Sequence, residues 1–214
     1  MSVDVATVRV RGRVDWRRAE FALTLLAFLG FLTVPIRITT IYGGLPAHPL
    51  FIHVPVVLIP VSVLGALACV IRPAWFDRYG VLLCLVAIAA MASIFPAMQA
   101  GAALEHRLHL FGPTLSLIQR HSHAAHILAV VFVLFTAVLI VTFAAHRISG
   151  GNPTGLALAD RPLSPAASYL ALRAGLVVLA LVSAYMVYKV GDLGAKAVWA
   201  GRLQAGPPGF PGPQ

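Results

Sequence analysis

The sequence predicts an all-α integral membrane protein, a four-helix transmembrane bundle preceded by one N-terminal transmembrane helix. Apolar residues make up 59% of the 214 residues, charged residues make up 11%, and the mean hydropathy is +0.88. A soluble domain of this length needs more charge to cover its surface. Several apolar runs approach or exceed the roughly 20 residues that cross a bilayer as a helix, so a lipid bilayer is the predicted surrounding.

The chain divides into a basic segment, a first span, a bundle and a tail. Residues 1–20 are polar and basic and are predicted to be cytoplasmic, and residues 21–42 supply the first transmembrane helix and an outer turn. The first apolar run resembles a signal peptide, but no A-x-A-like site follows it closely, so a retained helix is predicted. Residues 43–203 supply the four-helix bundle. Residues 204–214 are mostly Pro and Gly and are predicted to be disordered.

Breaks between apolar runs define the four spans of the bundle. Arg72-Pro73 ends the first of them, and Gly112-Pro113 interrupts a polar loop that is predicted between Glu105 and Arg120. The predicted spans cover residues 49–71, 79–104, 121–145 and 168–190, with an amphipathic extension of the last one to residue 202.

The distribution of Lys and Arg predicts the orientation in a bacterial inner membrane. With a cytoplasmic N-terminus, the inner segments hold ten of them: Arg9, Arg11, Arg13, Arg17, Arg18, Arg72, Arg78, Arg147, Arg161 and Arg173. The outer segments hold six: Arg37, Arg107, Arg120, Lys189, Lys196 and Arg202. Cytoplasmic segments are enriched in these residues, so the N-terminus is predicted inside and the C-terminus outside. The net charge of +9 forms no basic stripe with interleaved aromatic residues, which argues against nucleic-acid binding.

Seven of the eight histidines fall on the outer side of this topology, and only His146 falls inside. His53 and His126 belong to different spans and lie about 6 Å below Pro49 and about 9 Å below Arg120, near which the two helices are predicted to start. Ionisable side chains inside a span are usually functional, and a neutral imidazole offers one nitrogen to a metal. His53 and His126 are therefore predicted to meet at one metal or haem site just beneath the outer surface.

Three further residues are candidates for the same site. His123 is three residues from His126 and shares its helix face, and His48 precedes its helix and can fold back over the site. Asp192 either accepts a hydrogen bond from a histidine or pairs with Lys189 at the surface. The alternative for every histidine is a solvated position at the membrane interface, and this alternative is favoured for the remaining ones, His106, His109, His121 and His146.

The residues His48-Pro49-Leu50-Phe51-Ile52-His53-Val54-Pro55-Val56 resemble a motif, H-P-L-x-[VI]-H-[FV]-P-[IV], of an uncharacterised bacterial family of small membrane proteins. A second mark of that family is a Gly-His-x-Gly-Gly-like stretch near the end of the last span, where Asp192 stands in place of the histidine. The resemblance covers about residues 43–200 and implies a four-helix unit to which the first helix is added. This arrangement is similar to that of small b-type cytochromes, whose histidines pair across a four-helix bundle.

Two cofactor hypotheses and one without a cofactor remain open. In the first, the protein is an electron carrier that binds haem b through His53 and His126, with a quinone or an outer-side redox protein as partner. In the second, His48, His53, His123 and His126 bind copper, zinc or iron in a non-haem module. In the third, the protein anchors subunits of a larger membrane complex. No nucleophile–base pair, Gly-rich phosphate loop or soluble catalytic domain is present, so catalytic residues are not predicted.

Overall fold

The computed structural model describes residues 16–33, 39–40, 44–108, 112–151 and 166–205, and these residues are almost entirely helical. Most of the basic segment and the end of the tail, predicted to be disordered, lie outside the described residues. The helices are α1 (Trp16–Thr33), α2 (His48–Phe51), α3 (His53–Ile71), α4 (Ala74–Arg107), α5 (Gly112–Ser149) and α6 (Ala166–Ala205).

Prolines set the boundaries at the two ends of α3. α2 and α3 continue one another as a single apolar stretch, His48–Ile71, that is interrupted at Ile52. The interruption arises because Pro55 has no N–H to donate to the carbonyl of Phe51. At the other end, Arg72 leaves the helical region with φ −125° and ψ 86°. Pro73 disfavours a helical conformation of the residue before it, so α3 ends where the sequence predicts.

The described helices α3 to α6 form a four-helix bundle, and α1 lies outside it. α5 packs along α6 and α3 packs along α4, while contacts of α4 with α5 and of α3 with α6 close the ring. α1 packs mainly on α4. The predicted all-α membrane bundle is confirmed, since four helices are long and apolar enough to cross a membrane. The apolar part of α1, Ala22–Phe31, is shorter, so its role as a fifth span stays a prediction.

Aromatic rings and small residues fill the interior of the bundle. Phe132 and Phe135 stack with ring centroids 5.1 Å apart and are both fully buried. Alanine side chains on α4, such as Ala87 and Ala90, are also fully buried and let the helix backbones approach closely. The perimeter carries exposed Val and Leu side chains, including Val130 and Leu134 on α5, which is the pattern expected of a surface that contacts lipid tails.

Three helices are longer than predicted, and the predicted polar loop from Glu105 to Arg120 is wrong. α4, α5 and α6 contain 34, 38 and 40 residues. At 1.5 Å per residue they are about 50–60 Å long, whereas a hydrocarbon core is about 30 Å thick. α4 continues to Arg107 and α5 already begins at Gly112, where a positive φ of 64° allows the chain to turn. The polar residues of this region therefore lie largely on helices that extend beyond the hydrocarbon.

Candidate functional site

His48 is fixed at the start of α2 by a hydrogen bond across the bundle. Its Nδ1 lies 2.8 Å from the carbonyl oxygen of Ala97 on α4. A carbonyl oxygen only accepts, so Nδ1 carries the proton and donates it. The ring is half-buried, and Gly101 lies beside it: a Cβ at Gly101 would come within 3.0 Å of the imidazole. The neighbouring turn of α4 therefore leaves space for this ring only because it has no side chain at Gly101.

His121 on α5 is held in the same way by α6. Its Nδ1 lies 2.9 Å from the carbonyl oxygen of Val190 and must be the donor for the same reason. A Cβ at Gly194 would lie 3.2 Å from this ring. His121 was predicted to be a solvated histidine at the interface, and this is wrong, because its ring is half-buried and bonded to a neighbouring helix.

The structure brings these two imidazoles together. The ring centroids of His48 and His121 are 6.4 Å apart and the ring planes are nearly perpendicular, at 88°. Because both Nδ1 atoms donate to carbonyl oxygens, both Nε2 atoms are unprotonated in the neutral rings and keep a lone pair. A hydrogen bond from one ring nitrogen to a backbone carbonyl is the usual way in which a protein orients a histidine for metal binding.

The predicted pair, His53 and His126, lies on the outside of the bundle. Both side chains are exposed, as is that of His123. Nδ1 of His126 donates to the carbonyl oxygen of Ser122 on its own helix, at 2.8 Å. Among the described residues, no recorded contact joins His53 to His126, so their meeting at a shared site stays a prediction.

Asp192 has a different partner from the one predicted. Its carboxylate accepts a 2.7 Å hydrogen bond from Lys196, one turn further along α6, instead of pairing with Lys189. A role of Asp192 as an acceptor for a histidine stays a prediction. Among the described residues, no group of three or more His, Cys, Asp or Glu side chains is arranged to hold a metal ion. His109 lies outside these residues, and His106 is exposed.

The opposite end of the bundle carries a single histidine between polar side chains. His146 on α5 lies between two polar side chains, with Nε2 3.1 Å from Oδ1 of Asp77 and Nδ1 3.1 Å from the hydroxyl of Tyr169. The carboxylate accepts from Nε2, so in the neutral ring Nδ1 accepts from the Tyr169 hydroxyl. Both ring nitrogens of His146 are occupied, and this histidine ties α4, α5 and α6 together.

Residues 44–207 match the family described as Predicted membrane protein (DUF2231). The chain belongs to this family. The matched range takes in α2 to α6 and leaves out α1, so the four-helix bundle is the family unit, as the resemblance implied. No curated protein and no solved structure matches the chain. The nine-residue motif and the likeness to b-type cytochromes stay predictions.

The sequence indicates His48 as a ligand candidate but does not indicate His121 as its neighbour. A signal for the orientation of His121 is the spacing of the apolar residues that follow it. The buried positions Ala124, Leu128 and Phe132 follow it at intervals of three and four residues, which is the period of one helix face. His126 falls outside this series, beside the exposed residues of α5.

Proposed function

We propose that the protein is a metal-binding membrane protein whose centre is formed by His48 and His121. The observation that carries the proposal is the pairing of two half-buried imidazoles whose Nδ1–H groups are both given to backbone carbonyls of a facing helix. This arrangement leaves one lone pair on each Nε2. Imidazole nitrogen is a good ligand for copper, zinc and iron, which are the metals expected here.

The ring spacing is close to what a shared ion requires. With metal–nitrogen bonds of about 2 Å, two imidazoles on one ion have centroids about 5–6 Å apart. The observed 6.4 Å is slightly longer than this range, so binding of one ion by both rings requires the side chains to rotate toward each other. The rings also pack tightly against the backbone at Gly101 and Gly194. This close packing favours a single metal ion over the much larger haem group.

Two protein ligands leave further coordination positions for water or an incoming molecule. A structural metal site is normally closed by four protein ligands, whereas a catalytic or redox site keeps at least one position open. The His48–His121 pair therefore favours a centre that reacts or exchanges electrons over one that only supports the fold. An outer-side redox protein or a quinone is the expected partner of such a centre.

Metal content of the purified full-length protein tests the proposal. His48→Ala and His121→Ala should each lower the bound metal at least about tenfold, because a single remaining imidazole holds an ion weakly. The matched controls are His53→Ala and His126→Ala, which remove exposed histidines and should leave the metal content unchanged. Metal that persists in both His48→Ala and His121→Ala would exclude this site.

A haem bound through His53 and His126 is the second candidate. It is favoured by the hydrogen bond from Nδ1 of His126 to Ser122, which leaves Nε2 of that exposed ring able to ligate. Its signature is a strong visible absorption band that disappears in His53→Ala and in His126→Ala but survives in His121→Ala. This outcome is the reverse of that expected for the bare ion. Absence of both metal and haem from the purified protein would favour the anchoring function instead.

We also propose that the end of the bundle with His48 and His121 faces the outside. An ion pair of 3.5 Å between Glu20 and Arg147 places the start of α1 beside the end of α5, at the His146 end. Arg17 and Arg18 of α1, two of the five arginines before residue 19, therefore lie at that end of the bundle. Because such residues are retained on the cytoplasmic side, the His146 end is assigned to the cytoplasm.

A further inference from the structure

A cavity of about 300 Å³ opens between α5 and α6 near His121. It is distinct from the paired imidazoles, which do not line it. Its polar lining consists of three cationic side chains, two tyrosines and one carboxylate: Arg120, Lys189, Lys196, Tyr185, Tyr188 and Asp192. The cavity therefore collects three of the Lys and Arg residues assigned to the outer end of the molecule.

The charges of this cavity are not balanced internally. Lys196 and Asp192 neutralise each other through their 2.7 Å ion pair. Lys189 lies over the ring of Tyr185, with Nζ 5.9 Å from the ring centroid, a contact that leaves its ammonium hydrogens available. Arg120 is exposed and has no hydrogen bond or ion pair with any described residue. Two positive charges thus face the cavity without a counter-ion among the residues that the structure describes.

We propose that this cavity binds a phosphate group, either that of an anionic lipid or that of a soluble phosphate ester. A guanidinium presents two parallel N–H donors that match phosphate oxygens, and the ammonium of Lys189 adds a third contact. Tyr185 and Tyr188 are 59% and 71% exposed beside these cations. Tyrosine is enriched at the level of the headgroups, where an anionic phosphate and its acyl chains are at hand.

A substitution of Asp192 tests the proposal because it should strengthen phosphate binding, whereas misfolding would only weaken it. In the native chain the Asp192 carboxylate repels an anion in the cavity and forms an ion pair with the ammonium group of Lys196. Asp192→Asn removes this repulsion and releases Lys196 toward the cavity. We therefore expect Asp192→Asn to bind phosphate about tenfold more tightly than the native chain, while Arg120→Gln binds about tenfold more weakly.

The experiment uses the full chain in a neutral detergent and measures the affinity of three probes by titration calorimetry. Dihexanoyl-phosphatidylglycerol and glycerol 1-phosphate both carry the phosphate, and dioctanoylglycerol lacks it. Arg78→Gln serves as the matched control, because Arg78 is a cation at the opposite end that lies over Tyr79. Its affinities should equal those of the native chain. Higher salt should weaken binding, since exposed charges are screened.

Each result decides one point. Binding of both phosphate probes assigns the cavity to soluble phosphate esters as well as lipids, and binding of phosphatidylglycerol alone assigns it to the lipid headgroup. The proposal is overturned if dioctanoylglycerol binds as tightly as the phosphate probes, or if Arg120→Gln behaves like Arg78→Gln. Equal affinity of Asp192→Asn and the native chain would overturn it too. His48→Ala and His121→Ala should leave phosphate binding intact, which separates this proposal from that of the metal centre.

Discussion

The two ends of the bundle use histidine in opposite ways. At one end, His48 and His121 each donate from one ring nitrogen to a backbone carbonyl, and the other nitrogen has no hydrogen-bond partner among the described residues. At the other end, both ring nitrogens of His146 form hydrogen bonds, one with Asp77 and one with Tyr169. A histidine that bonds through both nitrogens joins helices, whereas one that bonds through a single nitrogen is oriented and still able to bind a ligand.

The residues around the His48–His121 pair and around His146 also differ, in a way that supports the same contrast between ligand binding and joining of helices. A glycine lies beside each imidazole of the His48–His121 pair: Gly101 beside His48 and Gly194 beside His121. His146 instead packs against the ring of Phe76, with centroids 5.5 Å apart, and its side chain is only 16% exposed. Because these glycines have no side chain, the helix backbone approaches each imidazole closely and favours one orientation of the ring. The aromatic contact at the His146 end fills space and favours rigidity.

Labelling of introduced cysteines should separate the two ends completely. In a chain in which Cys69 and Cys84 are replaced by alanine, Leu108→Cys at the outer end should react with a membrane-impermeant thiol reagent in intact cells. Gly155→Cys, between α5 and α6, should react only with a permeant one. The physical reason is the retention of basic segments in the cytoplasm. The reverse pattern would invert the assignment of the ends and place the histidine pair in the cytoplasm.

The spans could be predicted from the sequence because hydropathy is a local property. The end of α3 at Arg72-Pro73 and the presence of four long apolar helices follow directly from the sequence. The extent of α4 and α5 could not be predicted in this way. Polar residues between Glu105 and Arg120 indicate only that this region leaves the hydrocarbon, and a helix that projects into water has the same composition as a loop.

The faces of the helices were harder to predict than their extents. In a soluble helix the polar face identifies the outside, but the part of α5 after His126 is apolar on all sides up to His146, as expected of a helix whose outside contacts lipid. Phe132 is buried and Leu134 is exposed, although both are large and apolar. The depth of a histidine could thus be estimated, but the side on which it projects could not. For this reason the sequence does not indicate that His121 lies beside His48.

Gly194 and Gly191 offer a matched pair of substitutions on α6. In Gly194→Ala the new Cβ would lie 3.2 Å from the His121 ring, whereas at Gly191 it would meet nothing within 4 Å. We expect Gly194→Ala to displace the imidazole and weaken metal binding about tenfold, which corresponds to about 1.4 kcal/mol. Gly191→Ala should leave metal binding unchanged and raise the helix propensity. Equal metal affinities in the two variants would show that the orientation of His121 does not matter for the metal.

The smallest effect is expected from His146→Ala, which acts on the fold and not on the metal. The substitution removes two hydrogen bonds that join α5 to α4 and α6, and it also removes the ring that packs on Phe76. Asp77 is 69% exposed, so water replaces its lost partner and the cost falls mainly on Tyr169 and on packing. A hydrogen bond of this kind contributes about 0.5–1.5 kcal/mol, so we expect a loss of about 1 kcal/mol. Thermal unfolding in detergent measures this loss, and the metal content of the same sample should equal that of the native protein.

Release of the metal by His146→Ala, as expected for His121→Ala, would contradict the contrast between the two ends. Both ring nitrogens of His146 are occupied, and His146 lies at the opposite end of α5 from His121. It therefore has no means of ligating an ion at the end with His48 and His121.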